Sequence, residues 1–299
     1  MKTKYMFLSI LILVACQRME SEQPVFIEEN AERADSVWIF SIEAVKDDAQ
    51  TKALDLVNEG TRLNAYWKST ETVAMYKDGT LLGSLSVTPG TGEKPTTATM
   101  SGSITASGLA ENDALTLLFP RTDWDYTGQT GSLTGTNSIE EKYAYVTATV
   151  IIKSITGANV STTEASFANE ESIYRFSFRN GDSALAIKDF TLSAANGRLV
   201  QSRAYSGGWT SAYGPIDVTP ASATSDPLYV SLRNESTATD SYSFVITGAD
   251  DILYLASKTI PDIVLDAPGR FISAQNITAT KASFDPHPSG EVNDPEEIL

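Results

Sequence analysis

The 299-residue sequence predicts an all-β protein built from two tandem β-sandwiches, and three observations lead there. Short runs rich in Val, Thr, Ile, Tyr and Phe recur along the chain, each broken by a cluster of Gly, Asn, Asp, Pro or Ser. That is the composition of pleated, half-buried strands separated by turns. Several runs also alternate with a two-residue period. In Ile173-Tyr174-Arg175-Phe176-Ser177-Phe178-Arg179, the set Tyr174, Phe176 and Phe178 points to one face. No segment carries a sustained helical period with caps at both ends. About a dozen strands exceed what one small sandwich holds, so two in tandem are expected.

The elements follow in order. Residues 1–15 read as a signal peptide: Lys2 and Lys4 precede an apolar run that ends at Ala15, well short of the ~20 residues a membrane-crossing helix needs. Leu13-Val14-Ala15-Cys16 resembles the lipobox of bacterial lipoproteins, in which the cysteine is lipidated and becomes the new N-terminus. Cys16 is the sole cysteine and sits at the end of the apolar run, which favours lipidation over the alternative of an ordinary signal peptide and a free thiol. More than one acyl chain there anchors a protein stably. Residues 16–35 are polar and Glu-rich and serve as a tether. Strands are expected at 37–45, 72–76, 81–87, 97–107 and 114–119 in a first sandwich over 36–142. A glycine-studded stretch, 126–132, precedes the seam. A second sandwich over 143–284 takes strands at 145–155, 172–179, 184–193, 199–203, 228–233, 241–247, 252–257 and 271–282. Residues 285–299 form an acidic tail punctuated by Pro286, Pro288 and Pro295.

Charge and residue usage exclude several function classes. With 38 acidic against 22 basic side chains the formal net charge is −16, so the counterion-displacing basic face of a nucleic-acid binder is missing. One cysteine and one histidine, His287 in the tail, leave no disulfide framework, no structural zinc pattern and no histidine-dependent triad. Asp123-Trp124-Asp125 looks like the opening of a calcium loop, and Gly128 fills the sixth place, but Thr134 stands where the twelfth requires glutamate. The better account is a turn between strands. Gly128, Gly131 and Gly135 lack the Gly-Lys-Ser/Thr that a phosphate cradle needs. Glu170-Glu171 and Asp250-Asp251 are adjacent acids, which in a strand point to opposite faces rather than converge as a glycosidase pair. No enzyme is expected, and no cofactor or metal site. Among the aromatics, Trp67 and Trp124 suit sandwich cores. Trp209, in the glycine-flanked stretch 206–214 with Tyr213, is the best candidate for an exposed ligand platform, as a monomeric surface glycan-binding lipoprotein would require.

The order of many short pieces carries a family likeness. After the lipobox at Cys16 come Thr51-Lys52-Ala53-Leu54, Asn64-Ala65-Tyr66-Trp67-Lys68-Ser69 and Val73-Ala74-Met75-Tyr76-Lys77. Phe119-Pro120-Arg121-Thr122-Asp123-Trp124-Asp125-Tyr126, Ile173-Tyr174-Arg175-Phe176-Ser177-Phe178 and Ser225-Asp226-Pro227-Leu228-Tyr229-Val230-Ser231-Leu232-Arg233-Asn234 complete it. Together they resemble the fimbrillin-like lipoproteins of Gram-negative anaerobes of the Bacteroidetes, over about residues 36–284. The resemblance implies two transthyretin-like sandwiches, export to the outer membrane by a lipid anchor, and a cell-surface pilus or adhesin role with other fimbrial subunits and a host or bacterial surface ligand as partners. It also implies that an arginine-specific protease removes an N-terminal segment and that a strand from the next subunit fills the vacated groove, a case of β-strand addition. Arg33 and Arg62 are the candidate processing sites. Cutting after Arg33 leaves 37–45 in place, whereas cutting after Arg62 removes that strand as well. The run 271–282 is then either a donor strand or the last strand of its own domain.

Overall fold

The computed structural model describes residues 36–45, 54–56, 63–120, 123–235, 240–260 and 273–283. Among these it is all-β. The strands are β1 Ser36–Val45, β2 Leu54–Leu56, β3 Leu63–Ala65, β4 Thr72–Lys77, β5 Thr80–Pro89, β6 Thr97–Ala106, β7 Ala114–Phe119 and β8 Asp123–Asp125. After one π-helical turn, Ile139–Tyr143, come β9 Val146–Thr156, β10 Asn159–Thr162, β11 Ala165–Ser166 and β12 Ala168–Asn169. The chain continues through β13 Ser172–Asn180, β14 Ser183–Ala184, β15 Ile187–Ala194, β16 Val200–Tyr205, β17 Trp209–Tyr213 and β18 Ile216–Val218. It ends with β19 Leu228–Leu232, β20 Asp240–Gly248, β21 Leu253–Ile260, β22 Ser273–Thr278 and β23 Thr280–Lys281.

The first sheet closes on itself. Pairing runs β1–β6–β5–β4–β7–β9, and β9 then pairs with β10, which lies parallel to β1. The inward faces supply one core: Phe40, Ile42 and Ala44 from β1, Val73 and Met75 from β4, Leu85 and Val87 from β5, and Leu115 and Leu117 from β7. Trp67 packs edge-on against Phe119 and Phe167, with ring centroids 5.8 and 5.4 Å apart. β1 and β9 read alternately in and out, as a half-buried sheet requires, whereas β4 and β7 are buried on both faces, with Ala74, Tyr76 and Leu118 turned into the second core.

A second core lies between the sheet of β13, β14, β19 and β22 and the sheet β18-β15-β20-β21-β23. Tyr174, Phe176 and Phe178 point inward, as their alternation predicts, and Phe176 meets Phe190 and Phe244 edge-on at 6.0 and 5.4 Å. Ile173 faces the other way and is also buried, because Leu133, Ile139, Tyr143 and Ala144 cover it.

The expected division at 142/143 does not follow the sheets. Residues 63–120 belong to the first sheet and its flank, but the chain then crosses: Trp124 and Tyr126 enter the second core, and Gln129 joins Ser231 through a two-way pair of hydrogen bonds of 2.8 Å each. It crosses back for β9–β12 and returns only after Asn169. Asp123–Asp125, expected as a turn, is a strand that pairs with β16, and β16 pairs with β17 in a third, small sheet. Local propensity at a three-residue segment is overridden here by the partner strand it meets. Contacts unite both halves into one compact unit.

This interleaving makes separate unfolding of the halves impossible without extracting Trp124. Calorimetry should show a single transition, and Trp124→Ala should lower stability by about 3–5 kcal/mol while leaving that transition single; two resolved peaks in the parent protein would contradict the crossing.

Candidate functional site

The strand that closes the first sheet is β1. All ten of its residues pair antiparallel with β6, from Ser36↔Ala106 to Val45↔Thr97. On its other edge Ile39 and Phe40 pair in parallel with β10, Ala44 and Val45 with β11, and Ile39 N–H donates to the Ala158 carbonyl at 2.8 Å. The strand is therefore a stave between two partners rather than an edge. Its inner side places Phe40, Ile42 and Ala44, each 1% exposed, in the first core, and Trp38 Nε1 donates to the Ala106 carbonyl at 2.9 Å. Its outer side leaves Val37 and Ile39 55% and 46% exposed. Withdrawing β1 would bare the backbone groups of β6 along its length and open three successive apolar pockets, at alternate positions.

Arg62 lies outside the described residues, as do Cys16 and Arg33. The described backbone shows what stands beside Arg62: Leu63, the next residue, begins β3 and pairs with Leu56 of β2. Between β1 and Arg62 the sequence has no arginine. A cut after Arg62 therefore severs β1 and β2 together from the rest of the chain while every β1–β6 hydrogen bond stays intact.

Trp209 and Tyr213 do not lie in an open loop. They are the ends of β17, a strand closed onto β16 by the tip Ser206-Gly207-Gly208. That tip is pressed against the β4–β5 turn: a Cβ on Gly79 would lie 1.8 Å from the Gly207 nitrogen, and both glycines have positive φ. Trp209 packs on Trp124 with centroids 4.2 Å apart, and the Arg203 guanidinium covers its face at 4.0 Å. The Tyr213 ring is covered by Arg198 at 4.2 Å, and its hydroxyl donates to Glu235 Oε2 at 2.6 Å. The two aromatic faces are thus occupied by the protein's own cations. The outward side of the same small sheet is an open depression of about 600 Å³ lined by Asp123, Asp125, Ser202, Ala204, Thr210 and Ala212 among others.

Beneath Trp209 the charges form a closed ring. Glu170 Oε2 accepts from Arg203 Nη1 at 3.0 Å and from Arg233 Nη1 at 2.8 Å. Glu235 Oε1 lies 3.3 Å from Arg203 Nε, an ion contact without hydrogen-bond alignment, and 3.4 Å from Arg233 Nε. Glu170 Oε1 also accepts from Thr147 Oγ1 of β9, so the ring ties the first sheet to β16 and to the end of β19. Burial lowers the Arg203 guanidinium from its ordinary value, and the neighbouring Arg233 adds to this, against the pull of Glu170. Burial works to raise the Glu235 carboxyl, but hydrogen bonds from Tyr213 and Ser211 and the two guanidiniums outweigh it and hold it low. Glu171 is separately employed, accepting the Tyr145 N–H at 2.7 Å. Asp250 accepts from Tyr254, and Asp251 pairs with Lys188. Among the described residues no group of three or more His, Cys, Asp or Glu side chains is placed to hold a metal ion.

The two faces of β1 should respond differently to mutation. Phe40→Ala is expected to lower stability by about 3–5 kcal/mol, and Ile39→Ser, on the outer face, by no more than about 0.5 kcal/mol. Chemical denaturation distinguishes them, and equal losses would contradict the assigned orientation of the strand.

No family model and no curated protein matches the chain. Solved structures of adhesion and fimbrial proteins match across most of its length. A candidate cell adhesion protein from Bacteroides uniformis matches at a TM-score of 0.42 with 13% identity, covering 82% of this chain and 98% of that one. A fimbrial assembly protein from Parabacteroides distasonis gives 0.36 and 10%, covering 83% and 100%. A C-terminally truncated tip fimbrial protein from Porphyromonas gingivalis gives 0.34 and 9%, covering 83% and 99%.

Proposed function

We propose that this protein is a cell-surface fimbrial subunit or adhesin, held to the outer membrane through a lipid on Cys16, and joined to neighbouring subunits by replacement of β1. The observation that carries the reading is the position of β1. It is the first strand among the described residues, it closes the first sheet, and it fills that sheet's core with side chains at alternate positions. A strand from another subunit with the same alternation fits the same pockets and restores the same ladder. The fimbrillin-like order of short segments in the sequence supports this assignment, as does the placement of Arg62 after β2 and immediately before β3.

The physical sequence of events follows from the pairing. Cleavage after Arg62 removes the covalent tie but not the hydrogen bonds to β6, so β1 stays seated until an incoming strand competes for its place. Each inward Phe or Ile side chain is held by roughly 1.5–3 kcal/mol of burial. An empty groove is therefore a costly state, and exchange in which one strand displaces the other residue by residue avoids it. Cleavage after Arg33 instead leaves β1 in place and yields an anchor or accessory subunit that presents a complete first sheet. The resemblance in sequence implies that each core belongs to a transthyretin-like lobe, the two lobes exchanging chain segments at β8 and β9–β12. Here β22 pairs with β13 of its own chain, so in this state the C-terminal strand is an element of its own half.

Electron microscopy and gel analysis of the surface fraction, before and after an arginine-specific protease, test the reading. The expected outcome is fibres or a ladder of multimers that appear on cleavage and are lost in Arg62→Ala. Detergent-soluble monomers under every condition would overturn it.

A further inference from the structure

Away from β1, exposed apolar side chains gather at one place among the described residues. Val245, Leu253 and Leu255 are 46%, 51% and 47% exposed. They stand together on β20 and β21, where Val245 pairs with Leu255 and Leu253 lies two residues from Leu255 on the same face. The intervening Phe244, Ile246 and Tyr254 fill the second core, so the three aliphatic side chains point away from it. Their polar neighbours on this outer face are bonded among themselves. Thr247 Oγ1 donates to Asp189 Oδ1 at 2.8 Å, and Thr191 Oγ1 donates to Asp217 Oδ1 at 2.6 Å. What the centre of the face presents is aliphatic.

The chain itself leads a segment to this patch. After β22 it changes sheets at Ala279, a buried residue whose N–H donates to the Arg179 carbonyl at 2.8 Å. β23 then pairs with β21, Thr280 opposite Leu255, and Ala282 N–H donates to the Leu253 carbonyl at 2.9 Å. Strand alternation puts Thr280 and Ala282 on the same side as Leu255 and Leu253. The next residue of that parity is Phe284, which lies outside the described residues. Two residues of chain span at most ~7 Å. Diagonal neighbours on adjacent strands stand ~7–8 Å apart, a gap that an aromatic side chain bridges. Phe284 is the one Phe, Tyr or Trp in residues 284–299, and residues 285–291 after it include no Val, Leu, Ile or Met to compete for the patch.

We propose that Phe284 packs on Leu253 and Leu255, so that the segment beyond β23 covers the apolar patch on the outer sheet face of its own chain. Continuity decides the occupant. A second copy reaches the patch only by association, whereas β23 holds position 284 beside it at any protein concentration. The match is also one of kind, an aromatic ring against two leucines and a valine. Covered in this way, the face is withheld from sheet-to-sheet contact with other copies.

Photocrosslinking of the full chain with p-benzoylphenylalanine in place of Phe284, an exchange that keeps an aromatic ring, tests the contact. Mass spectrometry should place the links within the chain, at Val245, Leu253 or Leu255. Links to another part of the chain, links to a second copy, or no links overturn the proposal. A double-mutant cycle reads the same contact without a label. Phe284→Ala should lower the folding equilibrium constant about three- to tenfold in the parent chain, and leave it unchanged where Leu253→Ala and Leu255→Ala are already present. An equal loss in both backgrounds, or no loss in the parent, overturns the proposal.

Discussion

The ten-residue pairing of β1 with β6 is the constraint on which the first half of the molecule depends. Without β1 the cycle of paired strands is open, and the core loses Phe40, Ile42 and Ala44 at one stroke. The strand nevertheless comes first among the described residues, and the sequence leads from it through β2 and Arg62 to β3. An element so central to packing and so peripheral in connectivity can be exchanged without rethreading the fold. The proposed role as an assembling subunit rests on that combination.

The second half acts as a rigid mount for the first. The chain crosses to it at β8, back for β9, and over again at Glu170, so the two cores are stitched rather than joined by a linker. The Gly79–Gly207 approach leaves no room for a side chain at Gly79, where a Cβ would lie 1.8 Å from the Gly207 nitrogen. Gly208, with open space around it, carries no such demand.

Much of the all-β architecture could be read from the residues. β1, β9 and β13 fall where apolar residues alternate between turns, because burial on one face writes a period of two into the sequence; β4 and β7 read as apolar runs because both of their faces are buried, one in each core. β8, β17 and β18 are less legible: Asp-Trp-Asp, Trp-Thr-Ser-Ala-Tyr and Ile-Asp-Val are too short to carry a period of their own and become strands where a neighbouring strand supplies their hydrogen bonds. The crossing of 123–143 left no local signal either, since Trp124 and Tyr126 look alike whichever core receives them. The exposure of Trp209 was misleading for a related reason. Its glycine neighbours signal a tight tip, but the guanidinium that covers its face comes from β16 and the ring that fixes that guanidinium draws on Glu170 and Glu235, far apart in sequence. Ion pairs of this kind depend on tertiary placement and have no periodicity.

The most direct test of strand replacement is amide hydrogen exchange along β6 in assembled material whose N-terminal segment has been removed. The account predicts that residues 97–106 are as protected in the assembly as in the intact monomer, although β1 is absent from the sample by mass. Assemblies that retain β1, or that leave the β6 amides open to exchange, would contradict it.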